Sequence, residues 1–448
     1  MDNPELLRLI VAWIAVIGFV ILARTRRNAV GVGLTIAYLL NLSLIHLTGA
    51  AIYLLPGFQD KDARLTTAGF LQSTYGVIAF AFGSLVIAPW ILKRRSPSQL
   101  VDEASIMNPA LPRVLMLFGL LLYALSLTSF STLPSMGAIV STGQQLILAG
   151  LVLSCWSAWR AGRFLTVTGW LVLSLLMPIT TVLTSGMLGY GVVAILTLLT
   201  FVLGLVKSPV RILVGGCVLT YLGLSFFVSY MRDRAEIRDS VWGNQSYEDR
   251  ADRASESLSN FEWFDPDNRL QLQRIDDRLN QNSLVGAAVN RLSETNDYAR
   301  GDTLWQAVLA LIPRAIWADK PIEAGSGGLV TRFTGIQFVE GTSVGIGQVM
   351  EFYANFGTLG VFSGFLVLGI IVTLFDTFAA ACLNASNYSG FLLWYLPGLS
   401  LLQVGGQLVE ITASAAGSLI VALLVNKYLS GMHADSTPLL FDPVSESL

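Results

Sequence analysis

The chain has 448 residues, 53% of them apolar and 13% charged, with a mean hydropathy of +0.62 and a formal net charge of −2. Soluble domains carry roughly 25% charged residues, so a soluble fold is not expected, nor is a nucleic-acid partner. The charges are also unevenly spread: Met231 to Thr342 holds 13 of the 28 basic and 18 of the 30 acidic residues, the pattern of a membrane body interrupted by one water-facing insert.

At about 20 apolar residues per crossing, eleven spans are expected, over 4–23, 29–55, 67–92, 111–130, 137–158, 164–184, 186–206, 211–230, 358–380, 389–409 and 411–429. The first apolar run, Leu6 to Ala23, has no basic stretch before it and no A-x-A site after it, and reads as a retained span. Asn41 and His46, in the second, read as inter-helix hydrogen-bond partners. Gly186 and Gly189, in Thr184-Ser-Gly-Met-Leu-Gly-Tyr190, mark a tight turn between spans six and seven. Twelve basic residues of short loops (Arg24, Arg26, Arg27, Lys93, Arg94, Arg95, Arg113, Arg160, Arg163, Lys207, Arg211 and Lys427) fall on one side, against Arg8, Lys61 and Arg64 on the other. Basic short loops stay cytoplasmic, so the N-terminus and the insert are expected outside, in a bacterium the periplasm, and the C-terminus inside. The expected organisation is therefore membrane helices over 1–230, a large outer loop over 231–343, membrane helices over 344–430 and a cytoplasmic tail over 431–448.

The loop is not uniform. From Arg234 to Asn260 it is polar, with charges of both signs, and reads as a solvated cap or a partly mobile segment. Leu272, Ile275 and Leu279 recur at helical spacing, predicting a short amphipathic helix within Asn268–Asn282 that lies on the membrane or on the bundle. Thr303–Trp317 is apolar but too short to span, and predicts a re-entrant or interfacial helix broken near Pro313. Gly325, Gly327 and Gly328 follow as a loop. No internal repeat relates the spans, which argues against a secondary transporter.

Cys155, Cys217 and Cys382 lie in or beside apolar runs without metal or redox spacing. With only His46 and His433 as histidines, a His-based triad or multi-His metal site is not expected. The chemistry-bearing residues gather between Arg291 and Asn355: Arg291, Arg300, Arg314, Lys320 and Arg332, interleaved with Asp302, Asp319, Glu323, Glu340, Glu351, Trp305 and Trp317. Guanidinium groups bind phosphate bidentately and stay charged at any pH, so this set suits a diphosphate. Arg314 and Lys320 stand in an apolar, aromatic stretch at the expected membrane boundary, where an unpaired charge is costly. Glu351 and Asn355 share one helical face; Glu351 is either a general base toward a sugar hydroxyl or the partner of an arginine within the bundle. Asp376 and Glu410 read as boundary residues. The Asn-x-Ser triplets at Asn244, Asn384 and Asn387 carry no argument.

The stretch from Arg291 to Phe362 resembles the Wzy-type O-antigen and exopolysaccharide repeat-unit polymerases. The likeness rests on Arg291-Leu-Ser, on Gly301-Asp-Thr-Leu, on Ile312-Pro-Arg-Ala-Ile-Trp-Ala-Asp-Lys-Pro321 and on Glu351-Phe-Tyr-Ala-Asn-Phe-Gly357 with Gly360, together with the Arg-x10-Gly spacing of Arg314 and Gly325. The resemblance implies an all-α polytopic bundle of the glycosyltransferase C type in the inner membrane, with its active site facing the periplasm. Undecaprenyl-diphosphate-linked oligosaccharide would be both donor and acceptor, with no cofactor or metal, and with a chain-length regulator as a further partner. It implies Arg314 and Lys320 on the diphosphate, Arg291, Arg300, Arg332, Trp317 and Asn355 as further substrate contacts, and Glu351 on the acceptor. Related chains often carry an arginine in the turn that is Thr184 to Gly189 here, which leaves a second phosphate contact there without a residue. An O-antigen ligase, a lipid-linked oligosaccharide flippase and a non-catalytic scaffold are the competing readings.

Overall fold

A computed structural model describes residues 3–26, 31–56, 58, 63–94, 110–128, 136–205, 209–243, 249–250, 253, 255, 259–314, 316–317, 319–322, 325–338 and 344–434. Arg27, Lys61, Arg95, Lys207, Asn244, Glu323, Glu340 and most of the expected tail lie outside the described residues, as do the side chains of Arg211, Cys217 and His433.

All regular structure among the described residues is helical. That is what an apolar chain in lipid requires, because a helix satisfies its backbone polar groups internally. Among the described residues, seven helices are long and apolar enough to cross a membrane: Pro4–Arg26, Leu34–Leu54, Ala63–Lys93, Met136–Arg160, Phe164–Ser185, Gln348–Asn384 and Leu408–Tyr428. The protein is thus an α-helical membrane protein. We number the helices α1 (Pro4–Arg26), α2 (Leu34–Ala51), α3 (Ala63–Phe82), α4 (Ala88–Arg94), α5 (Leu111–Ser126), α6 (Met136–Arg160), α7 (Phe164–Ser174), α8 (Leu176–Ser185), α9 (Gly189–Leu205) and α10 (Pro209–Trp242). They continue with α11 (Arg269–Leu279), α12 (Asn282–Thr295), α13 (Asp302–Ala310), α14 (Ser326–Thr334), α15 (Gln348–Asn384), α16 (Tyr388–Ser400) and α17 (Leu408–Ala434).

Three differences from the eleven expected spans have physical causes. The apolar run 389–409 forms only the 13-residue α16, after which 401–407 is non-helical. Those residues stay inside the bundle, and two of their carbonyls are satisfied by the start of α15: Gly405 accepts from Gly347 N–H (3.1 Å) and Val404 from Gln348 N–H (3.0 Å). Irregular backbone at membrane depth is tolerated only when protein covers it in this way. The span expected over 358–380 is the second part of α15, which kinks at Phe356 and Gly357; Gly357 has φ 61°, a conformation that favours glycine. Finally, α10 does not end at residue 230. It continues as one 34-residue helix to Trp242, about 50 Å long against a hydrocarbon core of about 30 Å. The expected solvated cap therefore begins as a rigid helical extension.

α11 answers the choice left open by its sequence. Asn268 caps it by accepting from Leu270 and Gln271 N–H, and Leu272, Ile275 and Leu279 are buried against Ile52, Phe58 and Val228. It lies on the bundle.

The core lies between α1, α2, α3, α6, α12 and α15–α17. Glycines bring α12 and α3 close: a Cβ at Gly69 would strike the Asn282 carbonyl and one at Gly286 the Leu65 carbonyl, the small-residue contact common in membrane helices. Beside this contact, His46 Nδ1 meets Asn282 Oδ1 at 2.7 Å, and Ser73 Oγ lies 3.0 Å from His46 and 3.2 Å from Asn282. The inter-helix role of His46 is thus visible. Asn41 is buried, and among the described residues neither of its amide atoms has a hydrogen-bond partner.

Far along α15 from the loop, Asp376 is buried and accepts from Arg24 Nη2 (2.6 Å), Val32 N–H (2.7 Å), Thr35 Oγ1 (2.8 Å) and Leu34 N–H (3.1 Å). One carboxylate ties the end of α1, the first turn of α2 and α15 together. It is an interior anchor.

Candidate functional site

The site is built where the 231–343 loop meets α15 and α17. Gly347, at φ 67°, starts α15, and its first turns carry Gln348, Glu351 and Asn355 on neighbouring faces, all buried. Gln348 accepts from the Tyr38 hydroxyl. Asn355 holds the loop: its Oδ1 accepts from Gly301 N–H (2.9 Å), and its Nδ2 donates to Thr303 Oγ1 and to the Glu351 carbonyl (both 2.7 Å). Arg300 and Gly301, at φ 50° and 97°, make the sharp entry to α13 that this clamp secures.

Glu351 is fully buried, and its Oε2 accepts from Leu408 N–H at 2.8 Å. Leu408 is the first residue of α17. The carboxylate thus sits on a helix N-terminus, where a negative charge is favoured by the free N–H groups and the helix dipole. The Thr303 side chain also acts on the carboxylate, and no ion pair to Glu351 occurs among the described residues. The arginine partner considered from sequence is absent there; a helix end takes its place.

The five expected cations fall into separate groups. Lys320 is buried and donates to the Ile312 carbonyl (2.6 Å), closing the loop after α13. Burial and then the nearby Arg314 guanidinium lower its pKa from the usual lysine value. Arg314 is exposed, so these two stand together. Arg291 donates to the Arg332 carbonyl (3.0 Å), and Arg332 faces Asp297 at 3.4 Å. That pair joins α12 to α14 on an exposed surface. Arg300 is exposed on its own turn.

A second cationic group was not singled out from sequence. Arg234 and Arg238 lie one turn apart on the extension of α10, and Arg278 near the end of α11 approaches both closely enough for their charges to act on it. Lost hydration and then those two charges push its pKa below the usual arginine value; Arg238 is lowered in the same way, by lost hydration and then Arg234. Tyr230, which donates to the Gly186 carbonyl (2.7 Å), sits beside all three arginines. A Cβ at Gly186 would lie 3.1 Å from Arg238 Cγ, so the group abuts the α8–α9 turn. Asp239 beside Arg238 and Asp277 beside Arg278 offset part of the mutual repulsion of these like charges. The only signal in the sequence was the i, i+4 spacing of Arg234 and Arg238, which a solvated helix face also shows.

Around the first group, Trp305, Val308, Leu311, Ile312, Ile316 and Trp317 are exposed, Ile316 to 79%. A large exposed apolar patch next to membrane-capable helices reads as an interfacial surface. In vesicles whose lipids are brominated near the headgroup, part of the tryptophan quenching is expected to disappear in the Trp305→Phe/Trp317→Phe double variant; unchanged quenching would place this segment away from the bilayer. Among the described residues, no group of three or more His, Cys, Asp or Glu could hold a metal ion.

A family model described as Domain of unknown function (DUF8712) matches residues 61–405. The match takes in the loop, both cationic groups and the pairing of Gly347 with Gly405. No curated protein and no solved structure matches the chain.

Proposed function

The chain belongs to the DUF8712 family, and we propose that it joins lipid-diphosphate-linked oligosaccharide repeat units into a polysaccharide at the periplasmic face of a bacterial inner membrane. In this reading it crosses the membrane eleven times in a glycosyltransferase C-like bundle, α10 and the shorter α5, α9 and α16 joining the seven membrane-capable helices. The observation that carries it is the gathering of Arg234, Arg238 and Arg278 at the α8–α9 turn. Three guanidiniums suit the two phosphates of a lipid-linked sugar, and the exposed Trp305 to Trp317 surface suits the lipid that carries them. The motif resemblance over Arg291 to Phe362 points the same way.

In the reaction, an acceptor hydroxyl oxygen bonds the anomeric carbon of the donor sugar as the C–O bond to diphosphate breaks. The electron pair leaves on the lipid diphosphate, and the guanidiniums offset the charge that develops there. Arg314 and Lys320 form a second cationic contact near the interfacial surface, where the other lipid-linked unit would approach. Asn355 holds the α13 entry in place and Trp317 meets lipid; Arg291, Arg300 and Arg332 supply positive potential at the rim.

The test is reconstitution. The purified protein in liposomes with undecaprenyl-diphosphate-linked oligosaccharide, and no nucleotide sugar, is expected to yield a ladder of lipid-linked polymers. Arg314→Ala and Lys320→Ala should each remove the long products while leaving the protein in the membrane. Transfer to a lipid A core in place of a ladder would make it a ligase, and movement of the labelled lipid across the bilayer without any new bond would make it a flippase.

A further inference from the structure

We propose that Asn41, Gln281 and Gln348 enclose a buried water site between α2, the joint of α11 with α12 and the first turn of α15. The site stands apart from the reaction proposed above.

Contacts on either side of Asn41 bring the three carboxamides together. Gln281 N–H donates to the Ile45 carbonyl of α2 (3.0 Å), and Gln281 Nε2 donates to the Gly345 carbonyl (3.0 Å). The Gln281 carboxamide then lies over Gly347, where a Cβ would strike its Nε2, Cδ and Oε1 atoms. Only glycine at φ 67° permits that approach. Gln348, the next residue, takes the Tyr38 hydroxyl on its Oε1. On α2, Asn41 stands between Tyr38 and Ile45. At about 100° per residue the three fall within about 60° of one another, with Asn41 about 4.5 Å along the axis from Tyr38 and about 6 Å from Ile45. The side of α2 that meets Gln348 and Gln281 is therefore the side that carries Asn41.

The bonds these groups leave unmade define the occupant. Tyr38, Asn41 and Gln348 are 0 to 1% exposed. Among the described residues, Asn41 Oδ1 and Nδ2, Gln281 Oε1 and Gln348 Nε2 have no hydrogen-bond partner. Turning the Gln348 carboxamide over would still leave one of its polar atoms unpaired. Gln281 is held as it is by the Gly345 carbonyl, which can only accept. Buried polar groups are nearly always bonded, to protein or to ordered water. Here two acceptors, Asn41 Oδ1 and Gln281 Oε1, and two donor groups, Asn41 Nδ2 and Gln348 Nε2, match the hydrogens and lone pairs of water. None of these atoms carries a formal charge, which favours water over an ion. The inter-helix hydrogen bond expected of Asn41 is thus made through water, and water braces the start of α15 from α2 as Asn355 braces it from the loop.

The test is X-ray radiolytic footprinting of the full-length protein in lipid nanodiscs. The pulse makes hydroxyl radicals from water, bound water included, and these oxidise the side chains they touch. Tyr38 is expected to be modified although none of it is exposed. Phe365, equally buried but packed on Phe352 and Gly76, should stay intact. Asn41→Leu fills the site with an apolar side chain of similar size. It should abolish the Tyr38 modification and lower the thermal midpoint by several degrees, because Gln281 and Gln348 are then left unpaired. Asn41→Ser keeps a hydroxyl and leaves room for water, and should retain the modification. An unmodified Tyr38 in the wild type would overturn the site whatever the variants do. So would a Tyr38 modification that survives Asn41→Leu, or a thermal midpoint that rises in that variant, the result expected of a dry pocket relieved of an unpaired amide.

Discussion

Replacing Arg234 and Arg278 together by glutamine is expected to lower elongation by about 10²- to 10³-fold, the usual cost of losing a group that offsets charge developing in a transition state. The loss should fall mainly on the turnover rate, because the leaving diphosphate gains charge as its bond to the sugar breaks. Substitution by lysine at both positions should restore little, since a point charge cannot replace two forked donors. Arg253, which pairs with Glu236 on an exposed surface at 3.0 Å, serves as the control: Arg253→Gln should leave the product ladder unchanged. The readout is the ladder of chain lengths at equal protein in the membrane. An unaltered ladder in the double variant would remove the arginine group from the reaction and leave Arg314 and Lys320 as the diphosphate contacts.

The second large effect concerns stability. Asp376→Asn should destabilise the folded protein by about 3–5 kcal/mol, because it strips the negative charge from a buried pair and leaves Arg24 uncompensated. The carboxamide also has one acceptor oxygen where the carboxylate uses two to meet Arg24, Val32, Leu34 and Thr35. The expected observation is a marked drop in the fraction of detergent-solubilised protein that stays monodisperse after heating. Removing both charges, Arg24→Met with Asp376→Leu, should recover part of the loss, since no buried charge is then left unpaired. If Asp376→Asn alone tolerates heat as the wild type does, the anchor is not a determinant of stability.

Much of the fold could be read from the sequence. The long apolar runs mark the membrane-capable helices, the period of Leu272, Ile275 and Leu279 marks α11, and the short apolar stretch before Pro313 coincides with the nine-residue α13. What hydropathy could not distinguish was a buried helix from buried irregular backbone, since both are apolar; hence 401–407 read as the end of a span. Long-range pairing was hidden as well. Arg24 and Asp376 stand 352 positions apart, and Arg278 reaches Arg234 and Arg238 only because α11 folds back along α10. Glu351 and Asn355 were legible as a shared helical face, but a sequence motif does not show what covers it. The Leu408 N–H and the α13–α17 packing decide what Glu351 can touch.

The unbroken course of α10 from Pro209 to Trp242 also fixes a height. Along a straight helix, Arg234 and Arg238 stand about 6 and 12 Å beyond Tyr230, and Tyr230 is itself pinned to the Gly186 carbonyl. The guanidiniums are carried on a rigid post whose stand-off from the bilayer is set by residue count. A headgroup held at another depth would miss them. On the function proposed above, the helix gauges how far a lipid-borne diphosphate rises from the membrane, and inserting one helical turn between Tyr230 and Arg234 would shift that gauge by about 5 Å while leaving every charge in the chain unchanged.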